Sequence, residues 1–264
     1  MTTEEAFFHR EGDRFQPNDI CRGPWDPNSL HGRVVAGLLA FEIDRVHGDP
    51  EFHPARLTVD LYRMPPFSPV EVQTRVVRAG NRIRVIDADF LSDGVSIGRA
   101  SCLLLRRGDN PEGQVWSPPN WDVPGPDAIP EPDREGRPSM WDTRPIDGDF
   151  GALQQKRTWM RENRELIAGE PLTPFIRAAV ACDFTNPFGN SGSRGLEFVN
   201  ADITLYLHRL PASEWLGFEV NAHHSHEGIA VAECTLYDVR GAIGSSAVCG
   251  VGQRRKPTPS GRRD

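Results

Sequence analysis

The residues best suited to chemistry are a few carboxylates and imidazoles at the ends of apolar stretches. Asp183 closes the run Pro174-Phe175-Ile176-Arg177-Ala178-Ala179-Val180-Ala181-Cys182-Asp183, which reads as a short apolar helix. A carboxyl group in such a place can serve as a general base if its neighbours orient it toward a proton. The plainer reading is that Asp183, with Thr185 and Asn186, ends the helix and starts a turn. Asp26 and His31 flank a second helix start, where Asp26 and Asn28 read as turn residues and His31 as the opener. His223, His224 and His226 cluster beside Glu227-Gly228. Metal binding is conceivable there, but alternate strand residues point to opposite faces and no fourth ligand is evident, so the reading is a solvated hairpin and no metal. Arg194 sits in the loop Gly189-Asn190-Ser191-Gly192-Ser193-Arg194-Gly195, which is either a phosphate contact or a plain connector. There is no G-x-S-x-G elbow, which disfavours a serine-triad hydrolase.

These residues need elements to hold them. The stretch around His31-Gly32-Arg33-Val34-Val35-Ala36-Gly37-Leu38-Leu39-Ala40-Phe41 is apolar on nearly every face until Asp44 and Arg45. A helix of that kind must be wrapped. Asn28 or Ser29 can cap its start, and Gly48 can end it in a left-handed conformation. Residues 6 to 16 read as a strand weakened by Gly12. Four strands follow the helix: Arg56 to Tyr62, Val70 to Arg78 with one slip in its period-two pattern, Arg82 to Leu91, and Val95 to Arg107. Asp93-Gly94 suits a tight hairpin between the last two.

Residues 108–148 are rich in Pro, Gly and Asp and read as a linker, with Trp116, Trp121 and Trp141 as docking points. The second half then repeats the first. Gln155 to Glu162 matches the opening strand, Pro174 to Asp183 the helix, and residues 199 to 252 the four-strand series. Leu61-Tyr62-Arg63-Met64-Pro65 aligns with Leu207-His208-Arg209-Leu210-Pro211, and Asp93-Gly94 with Arg240-Gly241. A nearly constant offset across two turns indicates duplication. The expected domains are 1–107 and 149–255, joined by the linker and followed by a disordered tail at 256–264.

The 264 residues carry a formal charge of −7, which argues against a nucleic-acid partner. No apolar run approaches the roughly 20 residues of a membrane helix. The N-terminus Met1-Thr2-Thr3-Glu4-Glu5 lacks the pattern of a signal peptide. Cys21, Cys102, Cys182, Cys234 and Cys249 are scattered, so reduced thiols and a cytoplasmic location are expected.

With these features the sequence resembles the thioesterase-like superfamily with a double hotdog fold, near the type II acyl-CoA thioesterases. The carrying residues are His31-Gly32-Arg33-Val34-Val35-Ala36-Gly37-Leu38-Leu39, Tyr62-Arg63-Met64-Pro65, His208-Arg209-Leu210-Pro211 and Glu214-Trp215-Leu216. The resemblance implies an α+β architecture of two antiparallel sheets, each wrapped around a helix. It also implies an acyl-CoA substrate, no metal or other cofactor, and a site where the halves meet; a homo-oligomer stays open. The type II enzymes hold a water with an Asp, a Thr and a Gln. Asp183 matches the first, while alignment places Asn200 and Cys249 at the other two. Gly32, with Arg33 beside it, lets a ligand approach the helix start, whose N–H groups suit a thioester oxygen or a phosphate. The expected substrate contacts are therefore Gly32, Arg33, Arg194 and Cys249, around catalytic Asp183, Asn200 and His31. A second resemblance points elsewhere. Asp26-Pro27-Asn28-Ser29-Leu30-His31 is similar to the Asp-x-Asn-Pro-Leu-His signature of R-specific enoyl-CoA hydratases, which implies a hydratase using Asp26 and His31. A binding protein that kept the fold without the chemistry is the third reading.

Overall fold

The structure is a computed structural model that describes residues 6–119, 121–132 and 141–253. A small hairpin, β1 (Phe8–Glu11) and β2 (Arg14–Pro17), opens the chain. Gly12, at φ +63°, is its turn, so the glycine that weakens one strand makes two. Helix α1 (Gly32–His47) follows and is buried continuously from Arg33 to Ile43. Four strands then run as a meander: β3 (Phe52–Asp60), β4 (Glu71–Ala79), β5 (Ile83–Ser92) and β6 (Val95–Arg106). The slip read in the second of these is a bulge between Val76 and Arg78. Asp93 and Gly94 both take positive φ, the geometry a tight hairpin demands.

The stretch expected to be a linker contributes more structure than its composition suggests. It yields β7 (Asp142–Asp147), which pairs with β8 (Arg157–Arg161) at the edge of the sheet. Trp121 stacks on Tyr237 at 4.2 Å between ring centroids, and Trp141 is buried in the core. Trp116 is exposed. Helices α2 (Pro174–Cys182) and α3 (Thr185–Asn190) come next. The chain ends in the short strands β9 (Ser191–Gly192), β10 (Gly195–Leu196) and β11 (Phe198–Asn200), then β12 (Asp202–Leu207), β13 (Leu216–His226), β14 (Ile229–Asp238) and β15 (Gly241–Gly252). The tail at 256–264 lies outside the described residues.

The large sheet runs β4-β5-β6-β3-β12-β15-β14-β13-β8-β7, antiparallel throughout, with β11 added alongside β15. The order β4-β5-β6-β3 is mirrored by β12-β15-β14-β13, as duplication requires. The halves join through β3 and β12, where Thr58 faces Thr204 and the register is symmetric about that pair. Buried residues of α1 and α2 share one apolar core. A Cβ on Gly37 would lie 2.6 Å from a methyl of Val180, so the glycine allows the two helices to touch. Arg209 forms two bonds, of 2.5 and 2.7 Å, to Asp238, whose carboxylate also accepts the Ala212 and Arg240 N–H groups. The Arg of this repeat motif is thus a clamp in the second half. Its first-half counterpart, Arg63, is exposed.

Both expectations for the ends of α1 require correction. Asn28 and Ser29 are engaged in a turn with Asp26, and the N-cap is His31, whose Nδ1 accepts from the Arg33 N–H. Gly48 has φ −59°, not left-handed. Its Cβ would meet the Asp44 carbonyl at 2.3 Å, so close approach rather than handedness demands glycine.

Candidate active site

Asp183 caps the C-terminal end of α2 with αR backbone angles, and the chain turns at once into α3. Its carboxyl crosses to the other half of the molecule and lies against the first turn of α1. A Cβ on Gly32 would stand 2.7 Å from Asp183 Oδ1. Gly32 therefore makes room for the Asp183 carboxyl itself, not directly for a ligand. The start of a 16-residue helix carries unpaired N–H groups and the positive end of the helix dipole, which attracts such a group.

Two side chains hold the carboxyl. Asn200, at the end of β11, donates Nδ2 to Oδ1 at 3.1 Å. His31 Nδ1 lies 3.1 Å from Oδ2, with both residues buried. The same Nδ1 is 3.2 Å from the Arg33 N–H. His31 thus faces both the first turn of α1 and the Asp183 carboxyl through one ring nitrogen. Trp141 covers His31 edge-on at 6.2 Å between centroids and continues into Phe184.

The carboxyl forms the polar end of a cavity of about 510 Å³. His31, Gly32, Asn186 and Asn200 line it beside Asp183, and Leu30, Leu61, Met64, Trp141, Phe150 and Val199 supply apolar walls. Arg63 stands exposed among the lining residues. Among the described residues no cluster of three or more His, Cys, Asp or Glu could hold a metal ion. No described helix is long and apolar enough to cross a membrane. The cysteines offer no ready nucleophile: burial pushes the Cys102 and Cys234 thiols up to about 12.

Residues 21–105 match the family model described as the acyl-CoA thioesterase N-terminal domain, and residues 117–247 match the acyl-CoA thioesterase C-terminal domain. The chain belongs to the thioesterase-like superfamily. No curated protein matches it in sequence. Its fold is similar to that of several solved structures. A tesB protein of Mycobacterium avium subsp. paratuberculosis is 16% identical, with a TM-score of 0.70 over 94% of this chain and 96% of that one. A hot dog fold protein of unknown function from Alicyclobacillus acidocaldarius is 16% identical, with a TM-score of 0.73 over 94% and 96%. An acyl-CoA thioesterase II from Mycobacterium marinum is 16% identical, with a TM-score of 0.64 over 97% and 96%. These likenesses support the double hotdog architecture.

Within this thioesterase-like fold, the residues singled out in the sequence separate into two groups. His31, Gly32, Asp183 and Asn200 come together at one end of the cavity. The others do not join them. Arg33 is wholly buried, 2.7 Å from Glu162 and stacked over Phe7 and Trp141. Arg194 is exposed, pairs with Glu197 and lines a separate groove of about 590 Å³. Cys249 lies on the outer face of β15, its N–H bonded to Asp202. A strand alternates faces, so the aligned position fell one residue from the inward set, and Gly250 is the residue opposite Asn200. Asp26 closes an Asx turn by accepting the Asn28 N–H and does not line the cavity. The acidic partner of His31 is Asp183, which disfavours the hydratase arrangement. Asn186 was read only as a turn residue. Its amide bonds Asn200 Oδ1 at 3.1 Å, and it is followed four residues on by a bonded Asn190. The spacing Asp183, Asn186, Asn190 puts all three on one helical face, a signal present in the sequence.

Proposed function

We propose that this protein hydrolyses acyl-CoA thioesters with a water activated at Asp183. The observation that carries the reading is the Asp183 carboxyl, buried between His31 and Asn200 at the start of α1, on the wall of an apolar cavity. The acyl chain occupies the apolar walls. The thioester carbonyl oxygen faces the Gly32 N–H at the start of α1, which suits the charge that develops on it. Water attacks the carbonyl carbon while its proton passes to the Asp183 carboxylate, with Asn200 fixing the carboxylate's orientation. The tetrahedral intermediate then expels the thiolate by breaking the C–S bond. Asp183 returns the proton to sulfur, leaving a free thiol and a carboxylic acid.

Thiol release from a panel of acyl-CoAs tests the reading, with crotonyl-CoA absorbance followed in parallel. Saturable thiol release supports hydrolysis. Loss of crotonyl-CoA absorbance without thiol would overturn it in favour of hydration.

Two substitutions follow from the same geometry. Gly32→Ala places a methyl against Asp183 Oδ1, so the carboxyl must retreat by several tenths of an ångström. The expected result is a fall in kcat of about tenfold, since misplacements near 1 Å cost roughly a hundredfold. Arg63 supplies positive charge among the residues lining the cavity, suited to a CoA phosphate. Arg63→Ala should raise KM by roughly fivefold with kcat unchanged, as for an exposed charge pair. An unchanged KM for CoA esters would remove Arg63 from substrate binding.

A further inference from the structure

Asp183 is the inner end of a longer chain of side chains. Asn200 donates to Asp183 Oδ1 at 3.1 Å, Asn186 donates to Asn200 Oδ1 at 3.1 Å, and Asn190 donates to Asn186 Oδ1 at 2.9 Å. His223 Nδ1 lies 2.7 Å from Asn190 Oδ1. The direction of every bond can be derived. The Asp183 oxygen accepts, so Asn200 must turn its NH₂ toward it and its oxygen toward Asn186. Asn186 must then present its own NH₂, and the Phe198 carbonyl, which only accepts, takes that group too at 3.4 Å. Asn190 presents NH₂ to Asn186, so its oxygen faces His223, and His223 Nδ1 must carry a hydrogen. Four donors in series thus point the same way, toward the carboxyl. In such a series each bond polarises the next.

Asn186 and Asn190 are buried, whereas His223 is exposed in the groove that also holds Lys156 and Arg194. The chain therefore links the Asp183 cavity to a second, polar surface groove. A side-chain amide can be reversed end for end at little steric cost, and only its partners decide which way it sits. The inner end of the series is fixed by the Asp183 oxygen and the Phe198 carbonyl, and its outer end is held by His223. Loss of the outer donor leaves the Asn190 oxygen without its partner and frees that side chain to turn away from Asn186. The bonds further in then lose the polarisation that the outer ones supply.

We infer that His223 is a positioning residue for Asp183, acting through Asn190, Asn186 and Asn200. This rests on the reading of Asp183 as the base, so the test needs one readout that does not depend on hydrolysis. His223→Phe removes the outer donor, and His223→Asn keeps an N–H donor near the place of Nδ1. His223 is exposed, so both variants should fold, which thermal unfolding checks. His223→Phe is expected to lower kcat about fivefold with KM unchanged, and His223→Asn to return kcat to within twofold of the parent. In parallel, the ¹³C chemical shift of the Asp183 carboxyl is compared at one fixed pH. It should move in His223→Phe and return in His223→Asn. If the parent protein releases no thiol yet this pattern of chemical shifts holds, the hydrolytic reading falls and the positioning role stands. If kcat and the carboxyl chemical shift are the same in all three proteins, or if His223→Asn is as impaired as His223→Phe, the positioning role is overturned.

Discussion

Asp183→Asn is expected to lower kcat for acyl-CoA hydrolysis by about 10²- to 10⁴-fold, the usual loss when a positioned general base is removed. The change is nearly isosteric. The amide oxygen can still accept from Asn200, and the new NH₂ faces His31 Nδ1 in the place of Oδ2. Packing against Gly32 is preserved, so the melting temperature should stay close to that of the parent. Only the capacity to take a proton from water disappears. Steady-state kinetics with matched thermal unfolding checks this. A variant that hydrolyses at the parental rate would leave Asp183 as no more than a helix terminator.

The second large effect is on stability. Arg33 and Glu162 are both buried and 2.7 Å apart, and each is held by further groups. Glu162 Oε1 accepts the Asn163 and Arg164 N–H groups and the Arg164 guanidinium, while Arg33 lies over Phe7 and Trp141. Burial pushes Glu162 up and Arg33 down from their ordinary values, and their mutual attraction opposes both shifts. Removing Arg33 strips the buried Glu162 Oε2 of its partner, although Oε1 keeps its bonds to residues 163 and 164. Arg33→Met should therefore cost about 3–5 kcal/mol in urea unfolding, as for other broken buried pairs. The double variant Arg33→Met, Glu162→Met should recover part of that loss, because the buried Glu162 charge is gone, while Arg164 loses the carboxylate it pairs with. If Arg33→Met unfolds at the parental urea midpoint, the pair does not stabilise the junction of the two halves.

How far the sequence reveals this molecule depends on the range of the forces involved. Period-two patterns and the Asp93-Gly94 turn are local, and they locate β4, β5 and β6 within a residue or two. The repeat of Leu61–Pro65 in Leu207–Pro211 reflects a shared topology and survives divergence. Features set by contacts across the fold were hidden. Gly32 is a glycine because the Asp183 carboxyl comes close, which nothing nearby in the chain announces. The Pro-rich stretch read as a linker with docking tryptophans, of which Trp121 and Trp141 dock and Trp116 does not, but its pairing as β7 with β8 was not announced. Cys249 was misplaced because an offset of one residue in a strand exchanges the two faces. The site follows the same division. Asp183, Asn200, His31 and Gly32 were legible as candidates from motif and resemblance. The buried series Asn186–Asn190 was visible only as spacing, and its link to His223 depends on β13 passing over α3.

The most direct test of hydrolysis at Asp183 is a crystal structure of the Asp183→Asn protein soaked with an acyl-CoA. The expected electron density places the acyl chain between Trp141, Phe150 and Val199. The thioester oxygen should turn to the Gly32 N–H, with the carbonyl carbon one water away from residue 183. An acyl-CoA seated with its thioester outside this cavity, or lying against Asp26 instead, would contradict it.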